Sequence, residues 1–343
     1  MYNYHDQIAA YEAAKVNLSD SVRDDLYAKR KANRERLKKN RPDKIRVNDS
    51  HFIPQGSMAI RTTVQEKDSD YDIDDGVWFY KEDLVTEVLF IPIDMTPREV
   101  QEMVRDALKD SWFKKQPEIH NNCVRVYYNE GYHVDIPCYR LWDEGKSTER
   151  QELAAAGNQW VLSNPTEINV WFEEVIQNLN RTLAESGGQL RRVIRLLKRF
   201  ARSRSDKWDM PNGLKLTMLA EECFQASVGR DDEAFHLLLK KLKTRLAQSL
   251  VVYNRAQNKS SQDQLTKGAR DSNMVELQTR IDEALKELAV LDSDRCTKKA
   301  ARIAWDWVFQ TEGFFKVYDE EHESAVASVA PAAAFTKSPT RFG

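Results

Sequence analysis

With 343 residues and an apolar fraction of 41%, the chain can build two packed domains, which excludes a disordered polypeptide. Lys and Arg (52) nearly balance Asp and Glu (54), so the overall charge marks neither a nucleic-acid coat nor a membrane-surface protein, and any basic site must be local. Cys123, Cys138, Cys223 and Cys296 are widely spaced with no Cys-x-x-Cys pair, which argues against a zinc site or a disulfide framework and fits a reduced cytoplasm.

The opening residues, Met1 to Asp6, lack the basic-then-apolar layout of a signal peptide, and no apolar run approaches the ~20 residues of a membrane span. A soluble, cytoplasmic protein is expected, with no membrane partner. Residues 4 to 40 read as helix, with Ile8, Tyr11, Ala14 and Leu18 on one stripe and Ser21 able to cap a second segment. Lys29 to Arg41 then carries eight basic residues in thirteen positions. No aromatic residue interleaves them to stack on bases, so a solvated helix face is the expectation, and RNA binding stays open. Pro42 ends this N-terminal helical segment, 1–42.

A second region, 43–160, has strand composition. Val77 to Tyr80 and Val88 to Ile93 are apolar, and Pro97 opens a helix through Leu108. Val124 to Tyr128 and Tyr132 to Ile136 flank a turn at Asn129-Glu130-Gly131, which predicts a hairpin. Two strings stand out within this region. Gln55-Gly56-Ser57 is a tight turn able to present backbone N–H groups and a hydroxyl to phosphate. Asp72-Ile73-Asp74-Asp75-Gly76 places Asp72 and Asp74 at alternate strand positions, hence on one face, and Asp135 follows on the hairpin. An acidic triplet alone carries little, but three acids on strands behind a Gly-Ser turn suggest a triphosphate held against divalent metal.

Residues 161–322 read as helices. Leu190, Val193, Ile194, Leu197 and Phe200 form an apolar stripe, with Arg191, Arg195, Lys198 and Arg202 on another face that could meet either a triphosphate or solvent. Met210-Pro211-Asn212-Gly213 leads into a further helix. Asn254 to Asn273 is Ser/Gln/Asn-rich and is expected to be a mobile surface loop, and 323–343 a disordered tail.

Gln55-Gly56-Ser57, Asp72-Ile73-Asp74-Asp75-Gly76 and Val134-Asp135-Ile136-Pro137 together resemble the signature pieces of the polymerase-β-like nucleotidyltransferases, and among them the cyclic GMP-AMP synthase/DncV-like CD-NTases of bacterial CBASS anti-phage systems. The resemblance implies an α+β fold, a nucleotidyltransferase sheet domain packed on a helical domain. It implies a cyclic oligonucleotide synthase that makes a cyclic di- or trinucleotide second messenger from ATP and other NTPs. Asp72, Asp74 and Asp135 would be the catalytic, metal-holding carboxylates for two Mg2+ ions, with Mn2+ able to substitute. Gln55, Gly56 and Ser57 would bind nucleotide, joined by Lys198 as the family's triphosphate-contacting lysine and by Asn212 at a usual serine position. The resemblance also makes Gly343 a candidate conjugation site for a ubiquitin-transferase-like partner, and implies a downstream effector activated by the cyclic nucleotide. Two other readings stay open: a template-independent RNA or tRNA nucleotidyltransferase, and a non-catalytic nucleotide-binding scaffold.

Overall fold

The computed structural model describes residues 1–65, 71–258, 260 and 262–329. Tail residues 330–343, and with them Gly343, lie outside the described residues, as does Asp70 ahead of the acidic string.

The N-terminal helix is interrupted rather than continuous. α1 (His5–Tyr11) runs into a π-helical turn (Glu12–Val16), the chain extends through Asn17 to Ser19, and α2 (Asp20–Asn40) follows. Ser19, not Ser21, caps α2 by accepting from the Val22 N–H. The break lets the two helices serve different cores. Tyr4 and, on α1, Ile8 and Tyr11 are buried among the C-terminal helices, while α2 buries Leu26 and Leu37 against the sheet.

The sheet domain is built around one long strand. β1 (Phe52–Gln55) leads into the single turn of α3 (Gly56–Ala59) and then β2 (Asp72–Tyr80). A separate hairpin, β3 (Val85–Val88) and β4 (Ile91–Asp94), precedes α4 (Pro97–Leu108). Helix α4 starts with Pro97 in its first turn and a reciprocal Thr96–Glu99 capping box. The remaining strands are β5 (Glu118–Ile119), β6 (Val124–Tyr127), β7 (His133–Ile136), β8 (Cys138–Trp142), β9 (Arg150–Ala155) and β10 (Gln159–Leu162). They form one mixed sheet ordered β10-β9-β8-β2-β7-β6-β5, with β1 also paired to β2. β7 and β8 both run parallel to β2 and are divided at Pro137, which has no N–H to continue the ladder. The predicted hairpin is present as β6 and β7.

The helical domain holds α5 (Glu167–Thr182), α6 (Ser186–Arg202), α7 (Gly213–Cys223), α8 (Asp231–Gln248), α9 (Ser272–Leu288), α10 (Lys298–Phe309) and α11 (Phe314–Val329). Helix α11 runs through residue 323, where a disordered tail was expected to begin. The polar stretch after α8 folds back on itself. Tyr253 bridges Gln264, Asn254 N–H donates to Asp263 O at 2.8 Å, and the buried Asp271 caps α9 while pairing with Lys215 at 3.1 Å. Among the described residues the four cysteines are free, and no helix is long and apolar enough to cross a membrane.

Part of the basic run on α2 pairs with the sheet domain, while Lys31 and Lys39 are exposed. Arg34 grips Asp75 with two bonds of 2.7 and 2.5 Å, Arg36 pairs with Asp110, Lys29 with Asp25 and Glu130, and Lys38 with Glu35 and Asp49. Asp75 is only 2% exposed. Removing one member of such a buried pair strands the other, at a cost of about 3–5 kcal/mol. Arg34→Met should therefore lower unfolding stability by about that much in urea titration, and a second change, Asp75→Asn, should recover a large part of the loss.

Candidate active site

The acidic string divides between the two faces of β2. Asp72 and Asp74 face the cleft between the domains, whereas Ile73 is buried in the sheet-domain core and Asp75 turns to Arg34 of α2. Antiparallel pairing sets Gln55 opposite Asp74 and Ile53 opposite Gly76, which brings the Gly-Ser turn against the carboxylates. Both glycines sit at this close approach. A Cβ on Gly56 would lie 1.9 Å from Asp74 Oδ2, and the residue adopts φ +67°; a Cβ on Gly76 would lie 2.6 Å from Gln55 Nε2. Gly56→Ala thus combines a left-handed backbone with a collision at the carboxylate. It should lower stability by about 2 kcal/mol or more and remove nucleotide binding, as thermal melts and binding titrations would show.

Gly56, Ser57, Asp72 and Asp74 from the sheet domain and Lys198, Arg202, Asn212 and Gly213 from the helical domain line one cleft of about 460 Å3. Ser57 Oγ is 2.9 Å from Thr63 Oγ1. Lys198, 4% exposed, donates to Thr62 O at 3.2 Å and Thr62 Oγ1 at 2.9 Å. Burial, aided by the neighbouring Arg195, lowers its pKa to about 7. Asn212 lines the cleft as the N-cap of α7, its Oδ1 accepting from the Lys215 N–H at 3.1 Å. Gln55 does not line the cleft: its amide exchanges hydrogen bonds of 3.1 and 3.2 Å with the Tyr139 hydroxyl.

Asp135 lies across the ladder from Asp74, on β7, and its carboxylate is held by Arg125 in a two-point grip of 2.7 and 2.8 Å. Arg125 also reaches Asp72 at 3.6 Å. Among the described residues, the three carboxylates are therefore not gathered into one ligand set. The donor chemistry nevertheless fits a divalent cation at Asp72 and Asp74. Burial, then Asp135 and Asp72, push the Asp74 carboxyl up to about 7 against the pull of Arg125, a crowding of like charge that a cation would relieve. Arg125, Thr62 and Thr63 carry no motif of their own. Arg202 stands four residues beyond Lys198 on the same helix face, the one helical signal that pointed to it.

Residues 50–139, which contain the turn and all three carboxylates, match the family model of the nucleotidyltransferase domain of DncV-like cyclic GMP-AMP synthases. Over this segment the chain is similar to the DncV-like nucleotidyltransferase domain. A c-di-GMP synthase of Roseivirga ehrenbergii is 23% identical over 218 residues, 57% of this chain and 54% of that protein, so the chain spans about half the length of this curated relative. The fold is that of Vibrio cholerae DncV, a cyclic AMP-GMP synthase solved with linear pppA(3′,5′)pG: TM-score 0.68 and 16% identity over 90% of this chain and 96% of that one. The Bradyrhizobium diazoefficiens CD-NTase CdnG, solved with GTP, gives a TM-score of 0.66 at 18% identity over 93% and 98% of the two chains.

Proposed function

We propose that this CD-NTase fold synthesises a cyclic di- or trinucleotide from ATP and other NTPs, as a second messenger in cytoplasmic anti-phage defence. The observation that carries the reading is the shared cleft: a Gly-Ser turn, two carboxylates and a buried lysine converge on one space from two domains. A ribose hydroxyl would attack the α-phosphate of a bound NTP, with pyrophosphate leaving. Asp72 and Asp74 would hold two Mg2+ ions, with Asp135 joining them on release from Arg125. When bound, the ions would neutralise phosphate charge and acidify the attacking hydroxyl. The chain's own work is orientation. Gly56 and Ser57 meet the triphosphate from the sheet, Lys198 and Asn212 from the helices, and Gln55 braces the turn from behind through Tyr139. The pairing of Arg34, Arg36 and Lys38 with acids of the sheet domain weighs against the RNA-polymerising alternative.

Conjugation of Gly343 by a ubiquitin-transferase-like partner, and an effector that responds to the product, belong to the same proposal. Incubation of the purified protein with all four α-labelled NTPs and Mg2+ or Mn2+, followed by phosphatase and mass spectrometry, tests the reaction. A phosphatase-resistant cyclic product is expected and would identify the bases; linear oligomers or labelled RNA alone would overturn cyclisation.

A further inference from the structure

The segment joining the Gly56–Ser57 turn to β2 is fastened from two sides. From α6, three cations donate to three successive main-chain carbonyls: Arg191 Nε to Ile60 O at 3.3 Å, Arg195 Nη1 to Arg61 O at 2.9 Å, and Lys198 Nζ to Thr62 O at 3.2 Å. From the N-terminal segment, Val16 O accepts the Gln65 N–H at 2.8 Å, Asn17 bridges Val64, and Asn17 O accepts the Gln65 side-chain amide at 2.5 Å. The segment's position passes directly to the turn, because Thr62 N–H donates to Ser57 O at 2.8 Å and Thr63 Oγ1 meets Ser57 Oγ. Arg61 sits at φ +59°, the left-handed position of the Schellman turn that ends α3, with its N–H on Met58 O and the Thr62 N–H on Ser57 O.

The carbonyl of Arg61 is held by a buried ion pair. Glu12, 4% exposed at the start of the π-helical turn, meets Arg195 Nε at 2.5 Å, and Arg195 is itself 8% exposed. A guanidinium is a rigid planar fork, so a carboxylate fixed on one edge fixes the direction of the other, here toward Arg61 O. Neither Glu12 nor Arg195 lines the cleft.

We propose that Glu12 is a positioning residue for the phosphate-binding turn. Through Arg195 it pins the backbone at 60–62, and through Thr62 and Thr63 it sets where the Ser57 hydroxyl meets a triphosphate. This rests on the reading of the cleft as an NTP site. It gives the π-helical turn a purpose beyond packing, since such turns recur at functional sites and this one delivers the single acid that Arg195 needs.

The test uses the full chain with Mg2+ and α,β-methylene ATP or its guanosine counterpart, measuring dissociation constants for wild type, Glu12→Gln, Ser57→Ala and the double variant. Glu12→Gln is expected to weaken analogue binding about tenfold and to speed hydrogen exchange at the Thr62 amide, while in the Ser57→Ala background the same change costs less than about twofold, because linked residues are not additive. Fully additive losses, or wild-type affinity in Glu12→Gln, overturn the proposal. A wild type that binds neither analogue overturns the reading of the cleft instead. Should Glu12→Gln fold poorly, Arg191→Ala removes the more accessible bond to Ile60 and is expected to weaken binding in the same direction; unchanged affinity there also counts against the proposal.

Discussion

Asp74→Asn should cut nucleotide transfer by about 10³-fold or more, the scale set by losing a metal-holding carboxylate, while making the metal-free protein more stable. The two effects have one origin. The carboxyl sits against Gly56 with its pKa pushed up to about 7 by burial and by Asp135 and Asp72. An acid whose pKa is higher in the folded state binds its proton more tightly there, so metal-free stability should decline as pH rises from about 4 to about 7 and stay low above that. The substitution removes this decline. Melting temperatures of wild type and Asp74→Asn should therefore coincide near pH 4 and separate by pH 8, with the variant higher. Mg2+ should raise the wild-type value at pH 8, where the carboxylate is charged, and leave the variant nearly unmoved. An equal Mg2+ shift in both proteins would show that Asp74 holds no ion.

The strand that carries this carboxylate was legible because alternation along β2 is a local property: Asp72 and Asp74 had to share a face once Ile73 and Gly76 to Tyr80 were read as strand. The fate of Asp75 was not. It lies in the same string, yet it serves α2 through Arg34, 41 residues earlier, and no spacing rule connects them. The same limit explains the basic run, whose partners Asp110 and Glu130 stand 74 and 101 residues from the arginine and lysine they meet. Charge periodicity reports which residues share a helix face and says nothing of what that face covers. On α6 the cationic row was read correctly as a row, but Arg191 and Arg195 hold backbone carbonyls of the segment behind the Gly-Ser turn, with Lys198 alone placed to serve both that backbone and the cleft. The polar stretch after α8 shows a related limit. Its composition suggested mobility, while one buried acid, Asp271, ties its end to Lys215.

Lys198 has the second large effect. Its amine is buried, its pKa lowered to about 7, and its bonds in the free protein go to Thr62. A triphosphate favours the charged form, so binding near neutral pH and above should take up a proton. Affinity should then fall as pH rises from about 7, by up to about tenfold per unit, until the pKa of the bound state is passed. Lys198→Met should weaken triphosphate binding by about 10–100-fold, as expected for losing charge-assisted bonds, and should flatten that pH dependence. Its melting temperature should change little, because the lost bonds to Thr62 are offset by removing a costly buried ammonium. Calorimetry in buffers of different ionisation enthalpy would count the proton directly; identical heats for wild type and Lys198→Met would place the lysine outside the triphosphate site. The two titrations also oppose each other. Asp74 must lose a proton to hold a cation, while Lys198 must keep one to hold phosphate, and both change state near pH 7 in the free protein. The pH profile of kcat/KM should therefore be a narrow bell, and that of kcat a broader one, since each bound partner moves its residue's pKa away from the other's. In Lys198→Met the alkaline limb should vanish and the acid limb remain, which separates the contributions of the two domains to a single cleft.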